Sequence, residues 1–167
     1  MQVISEGQVR DAAARVRRGD DLERARRLGT HRPELVAYLV AATRELSREA
    51  RAAAWRGFEI ACEAMRAAGG EPRATVFDVM AVHDRNLEMA MAINASHPRI
   101  ADRFLLCSGA LRQRSLLQLL SDRVAGKARC GERGAVFLVL KTIVDVLDHA
   151  SGQPSPHPGS PSGPMAG

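Results

Sequence analysis

The chain is short of almost everything that marks a metal-dependent, disulfide-stapled or cofactor-binding protein. Its three cysteines, Cys62, Cys107 and Cys130, are far apart and form no Cys-x-x-Cys pair. A disulfide framework or structural zinc site needs close, paired cysteines, so reduced thiols in a cytoplasmic protein are expected. None of the five histidines has an acidic residue three positions before it, and none is spaced as His-x-x-x-His. That removes the Glu-x-x-His pattern of di-iron bundles, and neither metal nor cofactor is expected. The glycine clusters Gly69-Gly70 and Gly126 to Gly131 fit no phosphate-binding loop.

Lysine is scarce. Only Lys127 and Lys141 are lysine among 24 basic residues; the rest are arginine. Such a ratio, with abundant alanine and glycine, is what a GC-rich genome produces, so the net charge of +5 says little by itself about partners. Aromatics make up 4% of the chain, with one Trp and one Tyr to stack on bases. No apolar run approaches the roughly 20 residues of a membrane-spanning helix. No basic, then apolar, leader opens the chain. No stretch alternates apolar and polar residues like a half-buried strand.

What is present is helical periodicity, repeatedly punctuated. Ser5 with Gln8 resembles a capping box, and Val9, Ala12, Ala13 and Val16 follow at helical spacing. Pro33 suits a first helical position, and Leu35, Tyr38, Leu39 and Ala42 follow it. Ser47 opens a helix whose stripe is Trp55, Phe58, Cys62 and Met65, with Glu59, Glu63 and Arg66 on its other faces. Gly69-Gly70 and Pro72 stop it. Thr75 caps a helix over 76–94, with Met80, Leu87 and Met91 on one face and Phe77 close by. Ile100, Phe104 and Leu105 edge a further helix that bends or breaks at Ser108-Gly109, and its leucine-rich continuation ends near Ala125. Residues 126–131 read as a loop. The last helix, 132–150, is apolar round most of its circumference and leaves Lys141, Asp145 and Asp148 as a narrow polar face, so it should be central.

The expected fold is an all-α, single-domain bundle of six or seven amphipathic helices over 1–150. Residues 151–167, rich in Pro, Ser and Gly, are expected to be a disordered tail. A shift of 82 residues places Trp55 on Phe137, Phe58 on Leu140, Ala61 on Ile143 and Met65 on Leu147 without a gap. That pattern suggests two duplicated helical hairpins stacked like a short solenoid.

Function is read mainly by elimination. The leading expectation is a non-enzymatic module that binds another protein or a second copy of itself. The alternative is a basic helical protein that binds nucleic acid. Its contact residues would be Arg15, Arg17, Arg18, Arg24, Arg26 and Arg27, with Arg112 and Arg114 at a second helix entry. Acids interleave the N-terminal arginines, which is the usual pattern of a solvated face. A more distant reading is a small enzyme with a pocket around His83 and Asn86, since a mid-helix histidine needs hydrogen-bond partners. Cys130, flanked by Lys127 and Arg129, is the thiol most open to activation by nearby positive charge.

Overall fold

A computed structural model describes residues 3–18, 21–69, 75–94 and 113–152. Within them the chain is helical and contains no strand. The helices are α1 (Glu6–Arg18), α2 (Asp21–His31), α3 (Pro33–Thr43), α4 (Arg48–Ala67), α5 (Val76–Asn94), α6 (Arg114–Leu119) and α7 (Arg133–Gly152). α7 runs two residues into the expected 151–167 tail, because its last turn continues through Gly152; the rest of that tail, the Ser108-Gly109 break and Cys107 lie outside the described residues.

The starts of these helices follow from local chemistry. Ser5 N–H donates to Gln8 Oε1 at 2.8 Å, and Gln8 N–H donates to Ser5 Oγ at 3.3 Å. Thr75 and Asp78 make the same reciprocal pair, at 2.8 and 3.2 Å. Each pair satisfies two N–H groups that the first helical turn would leave open. Ser47 caps α4 by accepting from Ala50 N–H at 3.3 Å. Pro33 occupies the first turn of α3. Gly69, at φ 79°, ends α4 in a left-handed conformation that a side chain would oppose. The expected loop at 126–131 is instead mostly tight helical turn: a π turn over Leu120–Val124 leads into 3₁₀ turns at Ala125–Lys127 and Cys130–Glu132.

α4 and α7 lie side by side at the centre. Their starts are tied together, because Glu132 accepts Ser47 N–H at 2.6 Å and Ser47 Oγ–H at 2.7 Å. Further along they meet where Gly57 lies against Leu140. Phe58, Met65, Phe137, Leu140, Ile143 and Leu147 are all buried here, each contributing roughly 1.5–3 kcal/mol through removal of apolar surface from water. α7 is therefore as central as its composition predicted.

The outer helices are arranged in matching pairs. α1 packs on α4, and α5 packs on α7. α1 also touches α6, while α5 touches α3. The matching extends to single positions. The capping boxes at Ser5/Gln8 and Thr75/Asp78 are 70 residues apart. At that same offset, the inward residues Val9, Ala12, Ala13 and Val16 correspond to Val79, Val82, His83 and Asn86. α5 is thus a packed counterpart of α1.

Three expected orientations differ in the structure. Glu59 and Glu63 are buried rather than facing water. Lys141 is buried too, 3% exposed, because it is neutralised between α5 and α7. The most apolar stripe of α5 faces outward: Phe77, Met80, Leu87 and Met91 are exposed, while Val79, Val82 and Asn86 face the core. The core behind α5 holds a polar cluster, so the inward side takes smaller and polar residues.

Candidate functional site

The polar cluster lies where α3, α5 and α7 meet. α7 supplies Lys141, Thr142 and Asp145, α5 supplies His83 and Asn86, and α3 supplies Tyr38. Lys141 Nζ donates to Asp145 Oδ2 at 2.6 Å and to Asn86 Oδ1 at 3.2 Å. Asn86 Nδ2 donates to Asp145 Oδ2 at 2.9 Å and to Thr142 Oγ1 at 3.3 Å. The amide of Asn86 therefore has one orientation, with its oxygen toward the ammonium and its NH₂ shared by two acceptors. A buried ammonium is tolerable only when paired and hydrogen-bonded. Asp145, one turn beyond Lys141, supplies that pairing.

The cluster continues to Tyr38 and His83. The Tyr38 hydroxyl lies 2.9 Å from His83 Nδ1, and the two rings meet edge-on with centroids 5.5 Å apart. Burial pushes the Tyr38 hydroxyl up to about 12, only partly offset by its hydrogen bond with Thr142. It therefore keeps its proton at neutral pH, with Thr142 and His83 Nδ1 as its two hydrogen-bond partners. The bonds form a chain, Lys141 to Asn86 to Thr142 to Tyr38 to His83, that fixes a half-buried histidine at its end. Its chemical consequence is orientation. It neutralises one charge internally and holds one imidazole in place.

The two expected pocket residues, His83 and Asn86, are thus brought together, but as members of an internal network. Sequence reasoning missed Tyr38, Lys141 and Thr142. The usable signal was Lys141 itself, a charge on the most apolar helix with an acid four residues later.

The expected arginine ridge divides. Arg15 Nη1 donates to Glu63 Oε1 at 2.9 Å, and Arg27 Nη2 lies 3.9 Å from Glu63 Oε2. Arg66 also grips Glu63, through Nε at 3.2 Å and Nη2 at 2.8 Å. The Arg66 hydrogen bonds, helped by Arg15, hold the Glu63 carboxyl below the usual carboxylate range against its own burial. Glu63 lies on α4 at the position 82 residues before Asp145, and Glu59 has the same relation to Lys141. Arg26 and Arg114 are exposed. The side chains of Arg17, Arg18, Arg24 and Arg112 lie outside the described residues, as does that of Cys130. Cys62 is buried, and burial pushes its thiol up to about 12, so it is no nucleophile at neutral pH.

Gln113, at the entry to α6, is a third polar element. Its side chain accepts Ile4 N–H at 3.1 Å and donates to Asp148 Oδ1 at 2.9 Å, tying the start of the chain to the end of α7.

Among the described residues there is no group of three or more His, Cys, Asp or Glu side chains placed to hold a metal ion. No described helix is long and apolar enough to cross a membrane. No protein-family model, curated protein or solved structure matches the chain.

Proposed function

We propose that the chain is a non-enzymatic helical interaction module that binds another protein through the outward face of α5. One observation carries this reading. Val76, Phe77, Met80, Leu87 and Met91 are all exposed on one helix, and Phe77 is 87% exposed. Phe77, Met80, Leu87 and Met91 recur with the three-and-four spacing of a helix–helix seam, which Asp84 completes at its centre. Contiguous exposed apolar faces of this kind mark interaction sites. The matching positions of α1, 70 residues earlier, include Gly7, Arg10 and Arg17, so an apolar outer face is particular to α5.

Two features favour this reading over nucleic-acid binding or catalysis. Arg15 and Arg27 of the arginine ridge are already engaged with Glu63. His83 already uses Nδ1 for Tyr38. The offsets of 70 and 82 that relate the two halves support descent from a duplicated unit, one copy of which acquired the docking face.

The test compares the wild-type chain with a Phe77→Glu/Leu87→Glu variant as bait in a native lysate. Proteins retained by the wild type and lost with the variant support the reading, provided the variant keeps its helical circular dichroism and cooperative unfolding. Identical recovery by both baits overturns it.

A further inference from the structure

We infer that the outward face of α5 takes a helix of another protein that sets an arginine or lysine in the middle of its own apolar seam. This rests on the reading of that face as a docking surface and names the chemistry the surface selects. Asp84 lies within the exposed stripe, with Phe77 and Met80 before it along the helix and Leu87 and Met91 after it. Glu88 follows one turn later, at the edge of the stripe. Both acids are exposed. No ion pair joins either of them to another described residue. Arg85 is the only arginine or lysine of α5. As the next residue after Asp84, it is turned about 100° away from it around the helix.

Two carboxylates one turn apart on a helix oppose each other, and an acid within an apolar seam loses its hydration once a partner covers it. A cation on the partner answers both effects; an apolar residue answers neither. A single polar residue in a seam also fixes register and selects partners between paired helices. Phe77 and Met91 stand the same distance along the sequence on either side of Asp84, about 10 Å each way along the axis. The partner's cation therefore belongs at the midpoint of a seam about two heptads long.

The same charges turn away other occupants. A second copy of α5 fits less well, because a twofold axis through the middle of the stripe would set Asp84 against Asp84 with no base to answer them. Nucleic acids and anionic lipid surfaces present phosphates, which the two carboxylates repel.

The probes are two synthetic amphipathic helices about three heptads long with identical leucine seams. One carries arginine and the other glutamate at the middle seam position. Binding to the full chain is read by fluorescence anisotropy. The chain carries a net charge of +5, so non-specific attraction favours the glutamate peptide, and a preference for arginine reports a local acidic surface. The arginine peptide is expected to bind at least about tenfold more tightly than the glutamate peptide, the scale of a close charge pair set against a like-charge clash. Asp84→Arg/Glu88→Arg, a change at two exposed positions, is expected to reverse that order. Leu87→Gln/Met91→Gln is expected to weaken both peptides. Equal binding, no binding, or an order that charge reversal leaves unmoved overturns the inference. So does a wild-type dimer in sedimentation that Leu87→Gln/Met91→Gln dissolves. The two readings fail separately. Lysate proteins lost with Phe77→Glu/Leu87→Glu, without any peptide preference, leave the docking face and remove its charge rule; identical lysate recovery removes the docking reading itself.

Discussion

Gly57 and Leu140 lie so close that a methyl group on Gly57 would sit 2.6 Å from both terminal carbons of Leu140. Leu140 is itself fully buried, so its core neighbours must take up any swing aside. The contact explains why a helix interior carries a glycine, a residue that weakens an exposed helix by roughly 1 kcal/mol relative to alanine. Gly57→Ala should therefore destabilise the fold by about 1–3 kcal/mol despite its better helix propensity. Pairing it with Leu140→Ala should cost less than the sum of the single changes, because the cavity accepts the new methyl. Urea unfolding of the four proteins in the cycle measures this directly; additive changes would show that the two helices separate easily.

The Lys141–Asp145 pair makes a second prediction. The two side chains are 4% and 14% exposed, at an Nζ to Oδ2 distance of 2.6 Å. Lys141→Met removes the ammonium, which leaves the buried Asp145 carboxylate without its counter-charge, held by the Asn86 amide, and the Asn86 carbonyl without its Lys141 donor. The cost should be about 3 kcal/mol, the size expected when one partner of a buried pair is removed. Changing both residues, as Lys141→Met/Asp145→Leu, should recover much of that loss, because no buried charge remains unpaired. Thermal or denaturant unfolding would decide; a double variant worse than either single variant would contradict it.

Glu63 gives a pH-dependent effect. Its carboxyl is held below the ordinary carboxylate range, first by Arg66 and then by Arg15. A lowered folded-state value means that the unfolded chain binds its proton first as pH falls. The stabilisation is therefore complete above about pH 5 and is lost as pH drops through the folded-state value. The three arginines are each about half exposed, at 52%, 50% and 49%, and can return to water. Glu63→Gln should thus cost only about 1–2 kcal/mol at pH 7. The difference between wild type and variant should shrink steadily as pH falls below the ordinary carboxylate range and through the folded-state value, and a difference that stays constant on acidification would assign the effect to packing.

Helices were legible wherever a cap or breaker stood beside an apolar stripe. Ser5, Pro33, Ser47, Gly69 and Thr75 each sit where their chemistry places them. The centrality of α7 was legible because an apolar circumference has only one comfortable location. Which way α5 turns was not legible. Its sequence has two faces, one with large apolar residues and one with Val79, Val82, His83 and Asn86, and hydrophobicity alone favours burying the first. Burial of the second depends on Lys141, Thr142 and Tyr38, which satisfy Asn86 and His83 from two other helices. Such long-range pairings leave no periodic trace. The same holds for Glu63, whose burial is set by arginines on α1, on α2 and one turn along α4.

The orientation of α5 can itself be tested by stability, with two residues that are almost neighbours. Phe77 is 87% exposed and Val79 is 2% exposed. Phe77→Gln should change stability by no more than about 0.5 kcal/mol, as for an ordinary surface position. Val79→Ala, a smaller chemical change, should cost roughly 1.5–3 kcal/mol because it empties space between α5 and α7. At about 2–4 °C per kcal/mol for a chain of this size, differential scanning fluorimetry resolves the two. The reverse order, with loss at Phe77 and tolerance at Val79, would mean that α5 packs through its large apolar stripe, and the outward docking face would disappear with it.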